Sequence, residues 1–142
     1  GDTAETLKAV GTYLDGVFVV SYPRPDVKES YGPGSDKYLA AYKKKYGRDP
    51  IAPQSMTGYV GVKMLLEAIA KAGSTDMRKI RAAAMAMDKP FGSYETGYGV
   101  KFDAKMQNTR AFPTMIQWQG GKQVTVFPAA AASAGTIDMS RK

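Results

Sequence analysis

The chain has 142 residues, with 20 Lys+Arg against 13 Asp+Glu for a net charge of +7, and 44% hydrophobic with 23% charged residues, which is the make-up of one globular domain and not of a disordered or fibrous chain. It contains no Cys and no His, which excludes Ser-His-Asp and Cys-His nucleophiles, Cys/His zinc sites, iron–sulfur clusters and disulfides. No run approaches the roughly 18 to 20 apolar residues of a membrane helix, and GDTAETLKAV lacks the basic and apolar regions of a signal peptide, which points to a soluble chain whose export signal is removed or never existed.

Residues 1–10 read as a short helix, with Thr3 as N-cap and Gly11 as terminator. Next comes VFVVSY, residues 17–22, a near-continuous apolar run expected to form a strand buried on both faces, with parallel neighbours. Three prolines and two glycines in residues 22–34 forbid regular structure and favour a crossover from one body to another. Ser35 is placed to cap a helix running to about Tyr46, with Tyr38, Leu39, Tyr42 and Tyr46 at helical spacing and Gly47 as its stop.

A second helix is expected from Gln54 or Ser55 to Ala72, ending at Gly73; residues 51–62 carry no charge, so its first half is enclosed on most sides or faces a partner. Thr75 or Asp76 caps a third, whose Met77, Ile80, Ala84 and Met87 recur on one stripe. From Phe91 the period changes. Residues 98–103, 112–119 and 122–128 read as three strands, with a Gly120-Gly121 hairpin turn, and the small, polar tail after them reads as loosely held. The order is helix, strand, crossover, three helices, three strands: an α/β chain, but a lopsided one, with one parallel-type strand that lacks a parallel partner. It looks like part of a larger α/β architecture.

The basic run YKKKYGR, residues 42–48, with a pI near 9.5, is read as a solvated helix face, a phosphate-contacting patch being the alternative. Asp15, Asp26, Glu29, Asp36, Asp49 and Asp88 fall in turns or at helix ends, where capping and solvation explain them, and no carboxylate pair asks for acid/base chemistry. The glycines at 92, 97 and 99 fit neither the dinucleotide fingerprint nor a P-loop and read as turn residues. No catalytic residue, metal ligand or cofactor site emerges. Tyr22, Tyr31, Met56 and Tyr59 cluster around the crossover and the uncharged helix, either as core or as the lining of a ligand cleft. Free N–H groups at residues 55–57, after Pro53 and Gln54, would suit a carboxylate or other polar ligand group.

Several segments together carry a resemblance: LKAVGTYLDGVFVVSYPRPD, SDKYLAAYKKKYGRDP, APQSMTGYVGVKMLLEAIAKAGSTDMRKIRAAAM and FGSYETGYGVKFDAKMQNTRAFPTMIQWQGGKQVTVFP, in unbroken order over about residues 3–135. The chain resembles the C-terminal part of the branched-chain amino acid type (leucine/isoleucine/valine-binding family) of periplasmic solute-binding protein. The resemblance implies part of a type I bilobed fold: two α/β lobes joined by three crossovers, closing on a small molecule handed to an ABC permease in the inner membrane. It implies residues 1–22 in the C-terminal lobe, a hinge crossover at 23–34, helices of the N-terminal lobe at 35–73, a return to the C-terminal lobe at 74–135 and a flexible tail at 136–142.

On that footing the protein is a non-enzymatic, periplasmic or otherwise extracytoplasmic, membrane-associated binding component without cofactor or nucleic-acid partner. Its ligand would be a small amino acid, amide or aromatic acid, contacted on this chain by Tyr22, Gln54, Ser55, Met56 and Tyr59. Gln54 stands where the family carries an aromatic, which leans towards a polar or aromatic acid. Most of the family's contacts lie in an N-terminal half that this sequence does not contain; self-association is one way to cover surfaces that half would occupy. A ligand-sensing receptor domain of the same fold, and a basic nucleic-acid-binding module, are the alternatives.

Overall fold

The computed structural model describes residues 3–137. Its elements are α1 (Ala4–Val10), a 3-10 turn (Gly11–Leu14), β1 (Phe18–Ser21), α2 (Ser35–Tyr46), α3 (Gln54–Ala72), α4 (Met77–Met85), β2 (Thr114–Gln119) and β3 (Lys122–Phe127). The helix stops expected at Gly11, Gly47 and Gly73 are where they were read, each glycine at positive φ. Thr3 takes the N-cap position of α1 with extended backbone, but its hydroxyl faces the Thr6 hydroxyl at 3.5 Å and makes no capping bond. Gly1 and Asp2 lie outside the described residues.

The three strands form one antiparallel sheet in the order β1-β2-β3. β1 does not have the parallel, doubly buried setting read from VFVVSY. It pairs antiparallel with β2, Phe18 opposite Gln117 and Ser21 opposite Thr114, and its other edge has no partner among the described residues. Phe18 is 50% and Val20 65% exposed, because no described element covers the face they share. β2 is the central strand, with Ile116, Gln117 and Trp118 all buried. The β2–β3 hairpin turns at Gly120 and Gly121, whose φ values of 56° and 74° are those a two-residue turn needs to match the twist of its strands.

Residues 98–103 form no sheet strand. Their backbone groups are taken up locally: Val100 bridges to Lys89 and Phe102 to Asn108, and the Asn108 side chain accepts from the Lys101 N–H at 3.1 Å. Gly99 lies so near the Lys89 and Pro90 carbonyls that a Cβ would sit within 2.5 Å of both.

Two small cores follow one another along α3. Val60 and Ala68 pack with Met87, Tyr94 and Val100, joined by Met64, Ile80, Ala84 and Phe102. Nearer the start of the helix, Met56 meets Val27 and Ala131, bordered by Tyr31 and Tyr38. Asp76 caps α4 as expected, accepting from the Arg78 and Lys79 N–H groups at 3.1 and 3.0 Å. Met77, read as part of the apolar stripe, is 83% exposed: it sits in the first turn, while the last buried residue of α3 is Ala68. The inward side chains are Ile80, Ala83, Ala84 and Met87.

α4 and the stretch to Phe102 pack on α3, since the apolar stripe of α4 finds its complement there, and the chain joins the sheet at Thr114. The segment after Pro128 is held more firmly than its composition suggested. Ala131 is fully buried and its carbonyl accepts from Lys28 N–H at 3.2 Å, while Ile137 N–H donates to the Gln117 side chain at 2.8 Å. Residues 138–142, the remainder of the expected flexible tail, lie outside the described residues.

Candidate functional site

Residues 22–34 connect the sheet to the helices, and polar contacts hold this connection in place. Asp26 accepts from Thr125 of β3 and from the Ser133 hydroxyl at 2.6 Å, and pairs with Arg24 at 3.2 Å. Glu29 does the capping that was expected of Ser35. Gly34, at φ 91°, occupies the N-cap position of α2, so Ser35 is already inside the helix and fully buried. The Glu29 carboxylate accepts from the Gly34 N–H at 2.5 Å, the Asp36 N–H at 3.1 Å and the Ser35 hydroxyl at 3.1 Å. The two backbone donors, first Gly34 and then Asp36, hold its carboxyl below the ordinary value.

The five candidate ligand contacts are divided among separate places. Tyr22 follows the last residue of β1 and lines a hollow of about 510 Å³ with Tyr98, Phe112 and Pro113. Ser55 and Tyr59 line a different groove between α2 and α3, where the Tyr59 and Tyr38 rings lie 5.1 Å apart and Tyr42 and Tyr46 continue the aromatic row. Gln54, the first residue of α3, is exposed. Met56 is 0% exposed and packs with Val27 of the crossover and Ala131 of the C-terminal segment.

The N–H groups of residues 55–57 are not free as expected. Ser55 donates to the Ala52 carbonyl, and Met56 and Thr57 donate to that of Pro53, because the preceding turn runs directly into the helix. The Ser55 hydroxyl likewise donates to Ala52 O at 2.9 Å. An anion at this helix start would find those donors engaged.

Several charged groups are arranged in pairs. Lys63 of α3 meets the buried Glu95 at 2.6 Å; Glu67 accepts from Lys89 at 2.6 Å and from the Tyr94 hydroxyl at 2.7 Å. Burial pushes the Glu67 carboxyl up, yet the bonds from Lys89 and Tyr94 outweigh it and leave it below the ordinary value. In the basic run, Lys43 pairs with Asp49 at 3.0 Å and Lys45 lies over the Tyr46 ring, the behaviour of a solvated helix face. Among the described residues no group of three acidic, His or Cys side chains could hold a metal ion, and no helix is long and apolar enough to cross a membrane.

Tyr98 and Phe112 were not among the candidates. The signal lay in FGSYETGYG, whose glycines were read as turn residues, as they are, without the consequence for the rings beside them. Gly97 has φ 77°, and a Cβ there would lie 2.2 Å from the Tyr31 ring, so the missing side chain lets Tyr31 lie against the backbone next to Tyr98. Phe112 is stacked on Phe91 with ring centres 5.4 Å apart.

Residues 2–105 match the family described as periplasmic binding protein. Leu/Ile/Val-binding protein homolog 7 of Brucella suis biovar 1 is 42% identical over 128 residues, which is 89% of this chain and 32% of that protein. Homolog 8 of Brucella abortus is 42% identical over 130 residues, 91% of this chain and 32% of that one. Among solved structures, the leucine binding protein LivK of Thermotoga maritima superposes with a TM-score of 0.70 at 23% identity, over 87% of this chain and 33% of its own. The chain thus spans about a third of the length of the curated relatives it matches.

Proposed function

The chain belongs to the periplasmic binding protein family, a family of non-enzymatic solute-binding proteins, and from that membership we propose that it is the hinge-bearing portion of an extracytoplasmic solute-binding component of an ABC importer. The observation that carries the proposal is the way the chain passes between two bodies. One is the sheet with α1; the other is the helical body of α2 to α4 with the stretch to Arg110. Residues 22–34 leave the first for the second, residues 111–113 return, and residues 128–137 run back along the crossover, where Ala131 packs against Val27 and Met56. The lobe boundary is therefore put at residues 111–113.

In this reading the two bodies belong to two lobes, which close on a solute because the closed state binds it more tightly. The rest of the protein covers what this chain leaves open: Phe18 and Val20 on β1, and Val62, Leu65 and Leu66 on α3. The solute is a small amino acid, amide or aromatic acid held between the lobes, with Tyr22, Gln54 and Tyr59 contributing from this chain, and the closed form is recognised by a permease in the inner membrane. Thermal denaturation of the protein at its full encoded length against a panel of such solutes tests this. One class raising Tm in proportion to log concentration is the expected result; no response to any of them would overturn the proposal.

A further inference from the structure

We propose that the hollow between the two connections is a ring subsite, and that the solute carries an aromatic ring seated among Tyr22, Tyr98 and Phe112. This rests on the solute-binding reading above and names the class of solute.

Three observations carry it. The first is convergence: rings from three distant stretches line one hollow of about 510 Å³, roomy enough for a small molecule. The second is order without closure. Phe112 is fixed by its stacking on Phe91, and the two connections are tied where the Thr114 hydroxyl donates to the Tyr22 carbonyl at 3.3 Å, yet Tyr22 and Phe112 remain about half exposed. Rings held in place with open faces offer edge-to-face and offset contacts to another ring, at little further ordering cost. The third is polarity. Among the described residues no charged side chain lines the hollow, and its polar side chains are hydroxyls, those of Ser21 and the tyrosines. Burial, together with the phenols of Tyr31 and Tyr22, pushes Tyr98 up to about 12, so its phenol stays a neutral donor at any physiological pH. The subsite therefore takes the ring, and a charged end of the solute is bound elsewhere.

Position agrees with this. The hollow lies at the carboxyl end of β1 and beside both connections, so an occupant would touch the segments that move when the lobes close.

Calorimetric titration of the protein at its full encoded length with L-phenylalanine, benzoate and L-leucine tests the inference. An aromatic probe should bind about tenfold or more tightly than L-leucine, and Phe112→Leu, which keeps the apolar bulk, should weaken the aromatic probe several-fold while leaving L-leucine unchanged. Tyr22→Leu, at an exposed position, repeats the test if Phe112→Leu does not fold. Tighter binding of L-leucine, or aromatic binding indifferent to both substitutions, overturns the ring subsite and leaves the solute-binding reading standing. Silence towards all three probes and towards the wider solute panel overturns both.

Discussion

Asp26, in the connection that leaves the sheet, accepts two hydrogen bonds from Thr125 of β3, one from its N–H at 2.9 Å and one from its hydroxyl at 3.0 Å, across 99 residues of chain. One carboxylate thus ties the crossover to the far edge of the sheet, and through Ser133 to the C-terminal segment as well. Thr125 is fully buried, so removing its acceptor leaves polar atoms with no water to turn to.

Asp26→Ala is accordingly expected to cost about 2–3 kcal/mol, and Asp26→Asn, which keeps the shape and loses the charge, about 1 kcal/mol. Urea unfolding at constant slope measures both. Equal midpoints for wild type and Asp26→Ala would remove Asp26 from this role.

Glu29 makes the start of α2 sensitive to acid. Its carboxyl is lowered in the fold from an ordinary value of 4.5, so its contribution is complete above that value and disappears as pH falls below it through the lowered one. Amide exchange in the first turn of α2, compared between pH 7 and pH 3 after correction for intrinsic rates, should show protection lost on acidification. In Glu29→Ala protection should already be low at pH 7 and change little.

Two glycine substitutions should act in opposite directions. At Gly97, with φ 77° and a Cβ that would lie 2.2 Å from the Tyr31 ring, alanine is expected to destabilise by about 1–3 kcal/mol. At Gly58, inside α3 with nothing within 4 Å of a Cβ, alanine is expected to stabilise this chain by about 0.5–1 kcal/mol. A pair of thermal melts decides the matter, and equal shifts would mean that Tyr31 does not rest on Gly97.

The open faces give a prediction about association. Val20 on β1 and Leu66 on α3 are 65% and 58% exposed, and the 142-residue chain by itself should sediment as concentration-dependent oligomers. Val20→Lys and Leu66→Lys should shift it towards monomer. In the protein at full encoded length the same changes should each destabilise by about 2 kcal/mol or more, since the proposed function has the faces covered there; effects within about 0.5 kcal/mol would mean that they stay in water.

What could be read from the residues alone was whatever a few neighbours decide. The stops at Gly47 and Gly73, the Asp76 cap and the Gly120-Gly121 turn are settled within one turn of backbone, where steric limits on φ and a single side-chain acceptor are enough. The proline-rich connection was equally legible, as was the family, because family likeness is carried by residue order along the chain. Ser35 shows the limit of such reasoning: as a residue type it suits a cap, but Glu29, six residues earlier, takes the Gly34 and Asp36 N–H groups at the helix start once the connection bends back.

The tertiary structure decided what depends on distant chain. β1 has the apolar content of a doubly buried strand, yet its direction of pairing and its open face are set by β2, nearly a hundred residues on. Met56 and Tyr59 lie three positions apart on α3, and only the packing of Val27 and Ala131 makes one of them core and leaves the other in a groove. The hollow of Tyr22, Tyr98 and Phe112 exists because two connections lie side by side. Dihedral preference and capping act over a few ångströms along the backbone, whereas the face a side chain presents is settled by the apolar surface that arrives from elsewhere to cover it.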